Sequence, residues 1–302
     1  MNEAAILAMG TVAIDSVETP LGKRERCFGG SASYFSYAAS FFTRTKILAV
    51  VGEDFPPAYR AVLEDRHIDL SGIEVKKGEK TFFWKGKYAG AMNEAETLVT
   101  ELNTLLSFKP QLTAQDNQPV LFLANIDPAI QYEVICEKKK TEFVLADTMN
   151  FWIANKRDDL LKVLGRINAL IINEGEARQL SGRDNLIQAG DVLRSYGPSI
   201  IVIKKGEHGA LLFFNDEFCA LPAFPVRHVT DPTGAGDSFA GGMIGFLARE
   251  RTYDFATFKK AIMWGTVIAS FTVEDFSLDR LKCLTGEELT ERFAAFQNMI
   301  TI

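Results

Sequence analysis

From residue 119 onward, short apolar runs alternate with stretches whose apolar residues recur at helical spacing. The pattern predicts strands over 119–124, 142–146, 168–172 and 200–204, and helices over 128–139, 156–165, 174–181 and 186–196. Such alternation gives an α/β fold: a mainly parallel central sheet with helices on both faces. Ligands of these sheets bind beyond the carboxyl ends of the strands, where the chain puts Asn125, Asp147, Asn150 and Asn173. Ahead of this region, 4–9 is an apolar run closed by Gly10, a buried first strand with Asp15 the first charged side chain beyond it. Gly29-Gly30 opens a helix that carries Tyr34, 46–51 is a second strand, and 255–272 and 287–298 are the last helices. Two strand-like stretches fall outside the rhythm. Residues 16–28 turn at Pro20-Leu21-Gly22, and 73–89, rich in aromatics and broken at Gly78 and Gly86, reads as a hairpin. Together they predict a small β-sheet inserted in a single domain spanning 1–302. Trp84 and Tyr88 on it suit either stacking on a ring or packing at a homodimer interface.

One stretch breaks the pattern with chemistry. Residues 231–242 read Asp-Pro-Thr-Gly-Ala-Gly-Asp-Ser-Phe-Ala-Gly-Gly. Phe239, Met243, Phe246 and Leu247 then follow the spacing of one buried helix face. Gly234, Ala235 and Gly236 therefore sit where an extended segment becomes a helix. Their amides are open to a ligand, and a helix N-terminus favours an anion such as phosphate. Asp237 would repel that anion; it fits instead as a general base for a hydroxyl attacking phosphorus. A bare Gly-x-Gly-Asp also reads as a plain helix start.

Composition narrows the classes. The 302 residues are 47% hydrophobic and 24% charged, with a net charge of −6. That is ordinary for a soluble enzyme and argues against a nucleic-acid or anionic-membrane binder. No apolar run reaches the roughly 20 residues of a membrane span. Cys27, Cys136, Cys219 and Cys283 are scattered, as expected of reduced thiols in a cytoplasmic protein, and three histidines lack metal-ligand spacing.

The 231–237 run resembles the C-terminal signature of the ribokinase-like (PfkB-type) carbohydrate kinase family, Asp-Thr-x-Gly-Ala-Gly-Asp, with Pro232 in place of the first Thr. The resemblance extends over most of the chain. It implies a ribokinase-like fold with a β-sheet lid formed by 16–28 and 73–89, and ATP-dependent phosphorylation of a hydroxyl on a sugar or sugar-like molecule. By the same resemblance Asp237 is the base and the Gly234-Ala235-Gly236 backbone the anion hole. Asp15, Gly29 and Gly30 hold the acceptor, with Tyr34 standing where the family often has Asn, and with Asn125 and Trp84 as further contacts. Asn173-Glu174-Gly175-Glu176 resembles the family's Asn-x-x-Glu motif, which organises Mg²⁺; the same two residues also make a capping box. Asp147-Thr-Met-Asn150 resembles its Asp-x-x-Asn segment, which makes Asp147 a further candidate metal residue, with Phe151-Trp152 where many members carry Arg. Asn173, Lys204 (in place of a Thr), Gly206 and Gly209 line the nucleotide, and Asp231 a monovalent cation such as K⁺. Trp264 is placed near the adenine. Other readings are a nucleoside (adenosine-like) kinase of the same fold, a catalytically silent sensor, and a dinucleotide-binding oxidoreductase. The last lacks a Gly-x-Gly-x-x-Gly after the first strand.

Overall fold

The computed structural model describes residues 5–301, so Ala4 of the first predicted strand lies outside it. The chain runs β1 (Ile6–Met9), β2 (Ala13–Thr19), β3 (Gly22–Gly29), α1 (Ser31–Ala39), β4 (Thr45–Gly52), α2 (Pro57–Glu64), β5 (Asp69–Lys76), β6 (Phe83–Tyr88) and β7 (Ala95–Glu101). It continues with β8 (Val120–Leu123), α3 (Pro128–Glu137), β9 (Phe143–Asp147), α4 (Asn150–Asn155), α5 (Arg157–Leu164), β10 (Ala169–Asn173), α6 (Glu174–Ser181), α7 (Leu186–Ser195) and β11 (Ile200–Lys204). The last elements are β12 (Ala210–Phe214), β13 (Glu217–Leu221), α8 (Ala235–Glu250), α9 (Phe255–Thr272), α10 (Asp279–Cys283) and α11 (Gly286–Ile300).

The main sheet has nine strands in the order β13-β12-β11-β10-β9-β8-β1-β4-β5. Neighbours from β11 through β5 are parallel, and β12 and β13 return antiparallel at one edge. The central strands are apolar on both faces because both are covered. Ile6 and Ala8 of β1 pack with Phe239, Met243 and Phe258 of α8 and α9, whereas Leu7 and Met9 pack with Val134 and Leu160 of α3 and α5. No helix among the described residues is long and apolar enough to cross a membrane.

The predicted βα rhythm holds, but the small sheet is built differently from its expected 16–28 and 73–89. Its order is β3-β2-β6-β7. Residues 69–76 do not form a hairpin arm; β5 pairs in parallel with β4 as the edge of the main sheet. The antiparallel partner of β6 is β7, a polar strand that lies beyond the predicted hairpin. Trp264 is also corrected. Its ring stacks on Phe293 at 3.7 Å and meets Phe42 edge-on, so it belongs to the packing between α9 and α11.

Candidate active site

Parallel register brings the predicted polar residues to one rim. Asn173 at the end of β10 pairs with Lys204 at the end of β11, and Asp147 ends β9 on the other side of β10. Lys204 Nζ lies 3.1 Å from Asp147 Oδ2, in a pair largely closed to solvent. A Cβ on Gly236 would stand only 3.0 Å from the same Nζ, so the ammonium faces the first turn of α8. Burial works against its charge, but Asp147, Glu176 and Asp237 outweigh burial and raise its pKa.

The α8 start explains its glycines. Gly234 is the N-cap at φ 74°, in the left-handed region, and a Cβ there would collide with the Tyr34 ring at 2.4 Å. The N–H groups of Gly236 and Asp237 make no bond back to the loop, whereas that of Ala235 is held by the Pro232 carbonyl at 3.1 Å. Of the three expected positions Gly236 thus keeps an open amide among the described residues, joined by that of Asp237, and Ala235 serves the turn. Asp237 lies in the first turn. Burial pushes its pKa up to about 7, the Asp147 carboxylate adds to this, and Lys204 opposes it.

Tyr34 is 1% exposed, and its ring lies against Gly234 under the loop that opens α8. Asp231 makes a second support. Its Oδ1 accepts from Thr233 N at 2.9 Å and its Oδ2 from Ser277 N at 3.4 Å, tying the glycine loop to the segment before α10.

Glu176 and Asn173 form the capping box: Asn173 Oδ1 accepts from Glu176 N at 2.8 Å, and Glu176 Oε2 accepts from Asn173 N at 2.9 Å. Burial first, then Asp147, raises the Glu176 pKa to about 7. Asp147, Glu176 and Asp237 therefore share one ammonium, an excess of negative charge that a hydrated cation would relieve. Among the described residues no group of three acidic, His or Cys side chains converges closely enough to ligate a metal directly.

Asp15 lies on β2 in register with Trp84 of β6, and its carboxyl is within electrostatic reach of Asp237. Burial raises the Asp15 pKa to about 7, with the Gly30 N–H opposing and Asp231 and Asp237 adding to the rise. Gly29 makes room for it, since a Cβ there would meet Asp15 Oδ2 at 1.8 Å. We expect Gly29→Ala to displace this carboxyl and, like Asp15→Ala, to raise acceptor KM with kcat little changed; steady-state kinetics of both variants checks it. Trp84 lies over Gly86, its Nε1 donating to Thr97 Oγ1 at 3.2 Å. Asn125 is committed elsewhere: Oδ1 accepts from Trp152 Nε1 at 2.9 Å and Nδ2 contacts Met149 Sδ at 3.1 Å. It orients an indole, and no sequence signal marked that pairing. Tyr88 is the other side chain placed unexpectedly, with Thr233 Oγ1 donating to its hydroxyl at 3.4 Å. In the β11–β12 turn, Gly206 is open towards Asn93, while Gly209 packs against Leu221 and Pro222.

The family model for pfkB family carbohydrate kinases matches residues 15–281. The chain belongs to that family. This kinase is a phosphotransferase that moves a phosphoryl group from ATP to an alcohol of a sugar-type acceptor. It is similar to the cytidine kinase of Thermococcus kodakarensis, with 26% identity over 82% of this chain and 89% of that protein. Among solved structures it resembles the Methanocaldococcus jannaschii nucleoside kinase, with a TM-score of 0.79 and 20% identity, covering 98% of this chain and 100% of that one. An E. coli ribokinase II bound to ATP and Mg²⁺ superposes with a TM-score of 0.78 at 17% identity, over 98% and 99% of the two chains. These likenesses establish the ribokinase-like fold.

Proposed function

We propose that this kinase phosphorylates a nucleoside at a primary hydroxyl, with Asp237 as the general base. The observation that carries the reading is the juxtaposition of Asp237, open amides and the Lys204 ammonium at the start of α8. A base placed where phosphoryl charge is stabilised is what in-line transfer to an alcohol needs. The Gly236 and Asp237 N–H groups and Lys204 hold the transferring phosphoryl, and Asp237 takes the acceptor proton. Glu176 and Asp147 would hold Mg²⁺ through its waters; bound there, the metal supplies charge neutralisation for the phosphates. A monovalent cation beside Asp231 belongs to the same reading, since burial already raises the pKa of that carboxyl.

The acceptor class is argued from Trp84. An indole beside Asp15 gives a nucleoside a stacking surface for its base next to a carboxyl for its ribose hydroxyls. The cytidine and nucleoside kinases among the relatives support this choice. The small sheet then acts as the lid, excluding water that would otherwise hydrolyse ATP. Its edge strand β7 exposes Leu98 and Val99, which suits a homodimer formed through the lid of a cytoplasmic enzyme.

Nucleosides and free sugars incubated with ATP and Mg²⁺, with products separated by mass, test the reading. A nucleoside monophosphate formed in step with ADP is expected. Turnover of free sugars with every nucleoside inert would overturn the acceptor class.

A further inference from the structure

The hairpin that joins β6 to β7 reaches beyond the acceptor side. Tyr88 ends β6 against Thr233, and residues 89–94 then cross to the rim of the main sheet. A Cβ on Gly206, in the β11–β12 turn, would meet Asn93 Oδ1 at 3.7 Å. A Cβ on Gly175, in the first turn of α6, would meet Glu94 Oε1 at 3.7 Å and Asn173 Oδ1 at 3.4 Å. A cavity of about 470 Å³ separates this hairpin from α6, with Met92, Asn93 and Glu94 on one wall and Glu174, Gly175 and Arg178 on the other. Neither Asn93 nor Glu94 has a hydrogen-bond or ion-pair partner among the described residues. Two unpaired polar side chains are thus held over the elements that flank the proposed phosphate site.

Their chemistry is selective. The Asn93 amide can donate to a phosphate oxygen. The Glu94 carboxylate would repel bare phosphate, yet across Gly175 from Asn173 it can accept from the waters of a divalent cation. The pair therefore suits a metal-bound nucleotide and disfavours a metal-free one.

We propose that Asn93 and Glu94 are nucleotide-positioning residues, reaching metal-bound ATP phosphates from the small sheet so that MgATP alone draws that sheet shut. The proposal rests on the kinase reading above. It assigns the hairpin a role apart from the acceptor contacts of Asp15 and Trp84, and it links occupancy of the nucleotide site to order in β7.

The test uses the full-length chain without acceptor and a non-hydrolysable ATP analogue, AMP-PNP, with Mg²⁺ or with chelator. Calorimetry should show Asn93→Ala and Glu94→Gln each weakening Mg-AMP-PNP about tenfold, the loss of roughly one charge-assisted contact. Glu94→Gln should strengthen metal-free binding, because the charge that repels bare phosphate is gone, and acceptor KM should stay at the wild-type value in both. Hydrogen exchange in Ala95–Glu101 should slow with Mg-AMP-PNP alone in the wild type and not in the variants. Both side chains are exposed, so the variants are expected to keep wild-type melting temperatures. Unchanged Mg-AMP-PNP affinity in both folded variants, or protection of β7 that appears only with acceptor, would overturn the proposal. Wild-type protein that bound no nucleotide would instead bring down the kinase reading itself.

Discussion

Asp237→Asn is expected to lower kcat by about 10²–10⁴-fold, the contribution of a positioned general base, while the variant binds Mg-AMP-PNP and melts at a higher temperature than the wild type. The two effects share a cause. Asp237 is an acid whose folded pKa is raised from 3.8 to about 7, first by burial and then by Asp147. A group raised in this way contributes stability that is complete below its unfolded value and lost as pH rises through about 7. At neutral pH and above, the wild type therefore holds a charge the fold disfavours, and asparagine removes it without changing shape. The gain in melting temperature should be largest in mild alkali and vanish in mild acid. Asp15 and Glu176, also raised to about 7, push the unliganded wild type in the same direction. Calorimetric scans of both proteins across this range, beside steady-state kinetics, check the prediction. A variant with near wild-type kcat would refute the base assignment.

Lys204→Met should have an effect of similar size and opposite sign on stability. Its ammonium pairs with Asp147 and opposes the raised pKa values of Glu176 and Asp237. Removing one partner of a buried pair costs about 3–5 kcal/mol, because the other charge is left uncompensated. Here the cost has an outlet, since the orphaned carboxyls can take up protons. The variant should therefore recover much of its lost stability in mild acid. Lys204 also lowers the Asp237 pKa, so its loss should move the rise in rate with pH towards alkali. The affinity for ATP should fall as well, with acceptor KM the least affected parameter. A variant with wild-type stability and an unmoved pH profile would place Lys204 outside the site.

The parts legible in the sequence were those set by local periodicity and local capping. Helical spacing after Asp237 marked α8, and the apolar runs ending in Asp147, Asn173 and Lys204 marked three adjacent parallel strands. Asn173 and Glu176, three apart, are a capping box, which local spacing suffices to specify. What failed depended on partners far along the chain. Residues 69–76 carry the same alternation whether they join β4 or β6, and only the tertiary fold decides for β4. β7 is polar and exposed, so nothing in its own pattern announces an edge strand. Asn125 looked like a free ligand because its partner Trp152 lies 27 residues away. The Tyr34 ring fills the space left by the missing side chain at Gly234, a contact between positions 200 residues apart that no local spacing reveals.

The central claim is that Asp237 receives the acceptor's proton beneath the amides of α8. The most direct test is kcat/KM for the acceptor as a function of pH, which reports the ionisation of the free enzyme. With Asp237 as base, the wild-type value should rise about tenfold per pH unit below an apparent pKa near 7 and then level off. In Asp237→Asn the residual activity should be flat across that window. An unchanged rising limb in the variant would contradict the claim, because some other group would then be taking the proton.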